Sequence, residues 1–188
     1  MRSLYLVRHA QTRPVPGVVS SEWPLTFEGL TQARHLAETL PRPPIPRVVT
    51  STEPKAIETG RALADRWGVP LVQRGELHEH GRLSLSDVLT AEAFQASMER
   101  LFAQPSERVF GDESADAARD RLMQALHDVM KEGEGDELVV SHGTVISLLV
   151  AGANGLDAYD LWRRVSMPDL LVLDWPSFRL VHHAFPKG

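Results

Sequence analysis

The stretch Leu4-Tyr5-Leu6-Val7-Arg8-His9-Ala10-Gln11-Thr12 opens with four apolar, β-prone residues and ends in a polar cluster. Leu138-Val139-Val140-Ser141-His142-Gly143-Thr144 repeats that design much later in the chain. A short run that is apolar at consecutive positions buries both of its faces, as a parallel strand covered on two sides does. In open α/β sheets ligands bind beyond the carboxyl ends of the strands, which is where both polar clusters fall. The two segments therefore predict a mostly parallel sheet with a site along one edge.

Working outward, Thr26–Leu40 is predicted as a helix, with Thr26 as its cap and Leu30, Ala33, Leu36, Ala37 and Leu40 on one face. Pro41, Pro43, Pro44 and Pro46 end it, and Arg47-Val48-Val49-Thr50 supplies a second strand. A second helix over Pro54–Trp67 stops at Gly68, and Val69-Pro70-Leu71-Val72 reads as an edge strand, where proline is tolerated. Leu85–Phe102, Ser114–Lys131, Thr144–Ala151 and Asp157–Arg164 read as further helices. Leu170–Leu173 and Phe178–His182 form a closing hairpin. Strands alternating with helices give an α/β fold, a three-layer α/β/α sandwich. A single domain over residues 1–188 is expected, with a small cap at about 83–111.

Composition narrows the function. Of 188 residues, 43% are hydrophobic and 24% charged, an ordinary globular balance that argues against disorder. Twenty Lys and Arg against 25 Asp and Glu leave a net charge of −5, which discourages nucleic-acid and membrane-surface partners. The absence of Cys removes disulfides, thiolate metal sites and cysteine nucleophiles. The longest apolar run, Val145–Ala153, is far short of the roughly 20 residues that cross a bilayer. Arg8 and His9 interrupt the N-terminal run too early for a signal-peptide core, so a cytoplasmic setting is expected.

Two histidines, an arginine and a helix N-terminus near Thr144 would converge at the sheet edge, a set that suits a phosphate. One imidazole can attack phosphorus while the other stabilises charge. A lone histidine is more often a packing residue; two matching clusters at equivalent strand ends shift the balance toward chemistry. His78-Glu79-His80 alternates like a pair of metal ligands, but no third ligand lies nearby, so neither metal nor cofactor is expected. His80 and Arg82 fall at the substrate mouth or in solvent. His35 and His127 read as surface residues, and His182 and His183 as packed or exposed. The four Trp are scattered and read as packing residues.

The chain resembles the histidine phosphatase superfamily, also called phosphoglycerate mutase-like, in its phosphatase branch. The resemblance rests on six segments in the family's order: Leu6–Thr12, Pro24-Leu25-Thr26 with Gly29, Gln32 and Ala33, Thr50-Ser51 with Ala56 and Thr59, Leu77-His78-Glu79, Gly111–Ser114 and Val140–Gly143. It implies that His9 is the nucleophile, forming a phosphohistidine, while Arg8 and His142 hold the phosphoryl oxygens. Glu79 takes the place of the family's proton donor, partly buried and with its pKa raised. Gln11, Thr12 and the Thr144 backbone are implied as further phosphate contacts. Lys55 stands where the family has a second clamp arginine, keeping the charge but not the two-toothed grip. Ala10 replaces the usual Gly after the nucleophile. Glu79 is followed by His80-Gly81-Arg82-Leu83 instead of the usual aromatic and glycine pair, which keeps Glu76 open as an alternative acid.

The resemblance implies a phosphomonoesterase of histidine acid phosphatase type, hydrolysing a small phosphorylated metabolite without a cofactor. The family's mutases are longer, with insertions that close over the site; this chain leaves room between Glu79 and Glu113 for only a modest cap. A site that admits water favours hydrolysis. The mutase-like Asn is also missing from Arg13–Gly17. The alternatives are cofactor-dependent phosphoglycerate mutase-type transfer and a weakly active phosphate-binding protein. Arg8, His9, Lys55 and His142 would then form a basic pocket in an acidic surface. Nothing in the sequence encodes the substrate or the oligomeric state.

Overall fold

The computed structural model describes residues 2–82 and 90–183. Its six strands form one sheet in the order β3-β2-β4-β1-β5-β6. They are β1 (Arg2–Arg8), β2 (Val48–Thr50), β3 (Leu71–Gln73), β4 (Glu137–Ser141), β5 (Asp169–Trp175) and β6 (Arg179–His183). β3, β2, β4 and β1 run parallel, while β5 and β6 add an antiparallel hairpin beside β1. The mostly parallel sheet read from the two apolar runs is present.

The helices are α1 (Phe27–Thr39), α2 (Pro54–Trp67), α3 (Ala91–Ala103), α4 (Ala115–Glu132), α5 (Gly143–Asn154) and α6 (Ala158–Arg164). Thr26 caps α1 as expected, its side chain accepting from the Gly29 N–H. Gly68 and Gly155 end α2 and α5 in the left-handed conformation, at φ 67° and 64°. Of the helix read over Leu85–Phe102, α3 covers the later part, and residues 83–89 lie outside the described residues.

Alternation along β1 sorts the core into two layers. Leu4 and Leu6 face a cluster built with α3, α4, α5 and α6, whereas Val7 joins Val48, Leu138 and Val140 against α1 and α2. The chain is thus the three-layer sandwich expected. α5 is buried along Gly143–Ala151, which is why its sequence is apolar nearly all round. Each fully buried Leu or Ile in these layers contributes roughly 1.5–3 kcal/mol of transfer free energy. His127, expected at the surface, is half-buried instead. Its ring packs edge-on against Trp175 at 4.7 Å and Phe178 at 5.3 Å.

Candidate active site

Strand register builds the site. Arg8 pairs with Ser141 across the parallel β1–β4 ladder, so the two polar clusters emerge side by side. The His9 N–H extends the ladder to Ser141 O at 3.1 Å, and the Ser51 N–H does the same to Val140 O at 3.1 Å. The ends of β1, β4 and β2 therefore deliver Arg8 and His9, His142, and Ser51 with Glu53 to one place. The Arg74 N–H donates to Thr50 O at 2.8 Å and Ser141 Oγ to Leu77 O at 2.9 Å, which ties the loop carrying Glu79 to the same edge.

His9 is buried, and its ring stands edge-on to that of His142 with centroids 5.1 Å apart. His9 Nδ1 lies 2.7 Å from Ala10 O. A carbonyl only accepts, so Nδ1 carries the proton and Nε2 keeps its lone pair. Burial above all, then the neighbouring His142 and Lys55, holds His9 well below the usual histidine range, so it is neutral near pH 7. Burial and Lys55 do the same to His142. Ser51 Oγ sits 2.7 Å from His142 Nε2 and accepts the Glu53 N–H at 3.2 Å. With the serine proton directed to Nε2, His142 Nδ1 carries a hydrogen that finds no protein partner.

Arg8 donates through Nη1 to Val165 O and leaves Nε unpartnered. Lys55 is buried, contrary to its usual habit, and donates to Ser20 O at 2.6 Å and to the Glu53 carboxylate. The methyl of Ala10 packs with Leu25 and Ala33. The residue that replaces the family's glycine thus has a place in the core.

Two sequence expectations need correction. Glu79 does sit at the site, while Glu76 is exposed, but its carboxyl is not raised. Burial alone would raise it; Arg82 and backbone N–H donors outweigh burial and hold it well below the usual carboxylate range. Those donors are His80 N at 2.8 Å and, at the start of α5, Thr144 N at 3.1 Å and Val145 N at 3.2 Å. Glu79 thus occupies the helix N-terminus that was expected to meet the phosphate, and the Thr144 N–H is engaged with it. Gln11 and Thr12 lie on the loop after His9 and hydrogen-bond within it. Gln11 Oε1 accepts from Thr26 Oγ1 at 2.8 Å, and Thr12 Oγ1 donates to Pro24 O at 2.7 Å. Secondly, the pocket is not simply basic, because its cations meet Glu53 and Glu79.

Glu53 is the residue that the sequence reading missed. It is buried just ahead of α2; Oε1 accepts the Glu79 N–H at 2.8 Å and lies 3.5 Å from His142 Nε2, while Oε2 pairs with Lys55. Its signal was its position: three residues past the end of β2, a strand neighbouring β4, and two before Lys55. Arg82 is also at the site, donating to Thr144 Oγ1 at 3.1 Å under the rings of Phe94 and Phe110. His80 is buried, with Nε2 2.9 Å from Glu113 O and its ring stacked on Phe110. His182 is exposed, and His183 pairs with Asp169 at 2.9 Å. A cavity of about 450 Å³ shares Glu53 and Glu79 with this site and is also lined by Ser20, Thr52, His78 and Arg82. Among the described residues no three His, Asp or Glu are grouped to hold a metal ion, and no helix is long and apolar enough to cross a membrane.

The arrangement offers a neutral imidazole with a free lone pair, two cations, a second imidazole with a spare donor, and two carboxylates. Known proteins supply the family. The sequence matches the family profile described as histidine phosphatase superfamily (branch 1) over residues 4–177. It is 31% identical over 169 residues to a protein of Serratia proteamaculans named probable phosphoglycerate mutase GpmB, covering 85% of this chain and 78% of that one. The fold superposes on mycobacterial glucosyl-3-phosphoglycerate phosphatase in complex with VO3 at TM-score 0.75, with 22% identity and 98% of each chain covered. It superposes on TTHB049 from Thermus thermophilus at TM-score 0.69, with 26% identity over 96% of this chain and 98% of that one. The chain belongs to the histidine phosphatase superfamily, an enzyme family whose relatives here are named both as phosphatase and as mutase.

Proposed function

We propose that this protein is a phosphomonoesterase acting on a small phosphorylated metabolite through a phosphohistidine on His9. The observation that carries the reading is the His9 tautomer. With Nδ1–H engaged by Ala10 O, Nε2 is the free, neutral nucleophile beside Arg8, His142 and Lys55. His9 Nε2 attacks phosphorus, and the P–O bond to the leaving group breaks. Arg8, Lys55 and the Nδ1 hydrogen of His142 are the donors for the charge on the phosphoryl oxygens. Glu79 is the nearby group that can move a proton. It starts as a carboxylate on the α5 N–H groups, takes the proton of the entering phosphomonoester monoanion and gives it to the leaving oxygen. As a base again, it then activates the water that hydrolyses the phosphohistidine.

Replacing His9 with Ala should abolish both hydrolysis of an aryl phosphate and acid-labile labelling of the protein. Full activity in that variant would overturn the mechanism. A second reading, phosphoglycerate mutase-type transfer, is favoured by the name of the Serratia relative. Assaying phosphoglycerate interconversion beside hydrolysis of a panel of phosphorylated metabolites separates the two. Hydrolysis is favoured here because the segment between Glu79 and Glu113 is short.

A further inference from the structure

The clamp lysine is not free. Lys55 Nζ is held between Ser20 O and the Glu53 carboxylate in a buried setting. The same carboxylate reaches two other parts of the machinery. It accepts the N–H of Glu79 at 2.8 Å and faces His142 Nε2 at 3.5 Å. Arg82 adds a longer-range attraction from the loop after Glu79. The charged and titratable groups around Glu53 are therefore Lys55 on α2, His142 ahead of α5, and Glu79 and Arg82 on the intervening loop.

A flexible ammonium two residues along a helix start is an entropically loose phosphate ligand, unlike a planar guanidinium. Fixing it in place requires an opposing charge. That charge is a drawback once a phosphoryl group enters, because a carboxylate within reach of the same ammonium repels the phosphoryl oxygens. Glu53 thus aligns the clamp and opposes the ligand at the same time.

We propose that Glu53 is a positioning residue that acts as the internal counter-anion of the clamp, holding Lys55 and the Glu79 backbone in place and yielding Lys55 to the phosphoryl oxygen on binding. This rests on the reading of the site as one that binds a phosphoryl group. It follows that removing the Glu53 charge tightens anion binding while slowing turnover. A residue needed only for shape would weaken both together.

The test compares wild type with Glu53→Gln, using inorganic phosphate and orthovanadate as competitive inhibitors of aryl phosphate hydrolysis. The variant should bind both anions about tenfold more tightly and show a kcat reduced about tenfold, for loss of one unit charge beside the ligand. Anion binding that is weaker or unchanged in Glu53→Gln would overturn the proposal. A crystal structure of the wild type with vanadate provides a check that does not depend on the variant folding. Lys55 Nζ should contact a vanadate oxygen and stand beyond salt-bridge distance of Glu53. Lys55 still paired to Glu53 and not reaching vanadate would overturn it. Failure of the wild type to bind either anion, or labelling that survives His9→Ala, would instead sink the phosphatase reading itself.

Discussion

A Cβ added to Gly143 would stand 2.7 Å from both Cζ and Nε of Arg8. The first residue of α5 is glycine because the guanidinium occupies the space a side chain would need. That contact is with the far end of a long side chain, so Arg8 can move aside at modest cost. Alanine is also intrinsically the better helix residue by about 0.5–1 kcal/mol. Gly143→Ala should therefore leave urea stability within about 1 kcal/mol of wild type. It should lower kcat/KM on an aryl phosphate by about 100-fold, as loss of a preorganised charged donor does. Unchanged kinetics would show that Arg8 does not need its observed position.

Gly29 makes a close approach of another kind. Its added Cβ would lie 2.1 Å from Gln11 O, a backbone atom whose own hydrogen bond to the Thr26 N–H fixes the loop after His9. Backbone cannot swing away as Arg8 can. Gly29→Ala should cost about 2–4 kcal/mol of stability, within the range for overpacking and disrupted hydrogen bonding. Denaturant unfolding measures this, and a loss below about 0.5 kcal/mol would show that α1 shifts freely.

These contrasts explain how much of the molecule was legible beforehand. β1, β4 and α2 were readable because an apolar run or a capped, amphipathic period specifies them locally. The meeting of His9 and His142 was readable because parallel strands put their carboxyl ends together. The state of Glu79 was not. Its partial burial suggested a raised carboxyl, whereas Arg82, and after it backbone donors that include the Thr144 N–H 65 residues away, hold it down. Glu53 was overlooked for the same reason, since its partners Lys55, His142 and the Glu79 N–H come from three different segments. His127 looked like a surface residue until the β5–β6 turn brought Trp175 and Phe178 onto it.

Lys55 gives the sharpest substitution. The family's arginine would restore the two-toothed grip, yet the site around Lys55 is fitted to an ammonium between Ser20 O and Glu53. A guanidinium is larger, and there it would overpack a buried position and pair two-toothed with Glu53 rather than with phosphate. Lys55→Arg should lower kcat/KM by about tenfold or more, and Lys55→Met by about 100-fold, because the latter removes the charge altogether. Steady-state kinetics on one aryl phosphate decides it. A gain in Lys55→Arg would mark the native site as a degenerate one.

The two histidines also set how stability depends on pH. Both are held well below the ordinary value of 6.5, first by burial and then by neighbouring charges. Below pH 6.5 the unfolded chain takes up protons at these two positions that the folded chain refuses, so stability falls as pH drops from about 7 toward 5. Each histidine contributes a slope of at most about 1.4 kcal/mol per pH unit in that window. Glu79 acts in a lower window: its folded value is depressed, so its contribution is fully present above the ordinary carboxylate range and is lost only in strong acid. Urea midpoints measured from pH 7.5 to 5 should fall steadily in the wild type. They should fall less in His142→Gln, which removes one of the two protons. A wild-type midpoint that is flat across this range would show that neither imidazole is kept neutral by the fold. The free lone pair on His9 Nε2 would then have no basis.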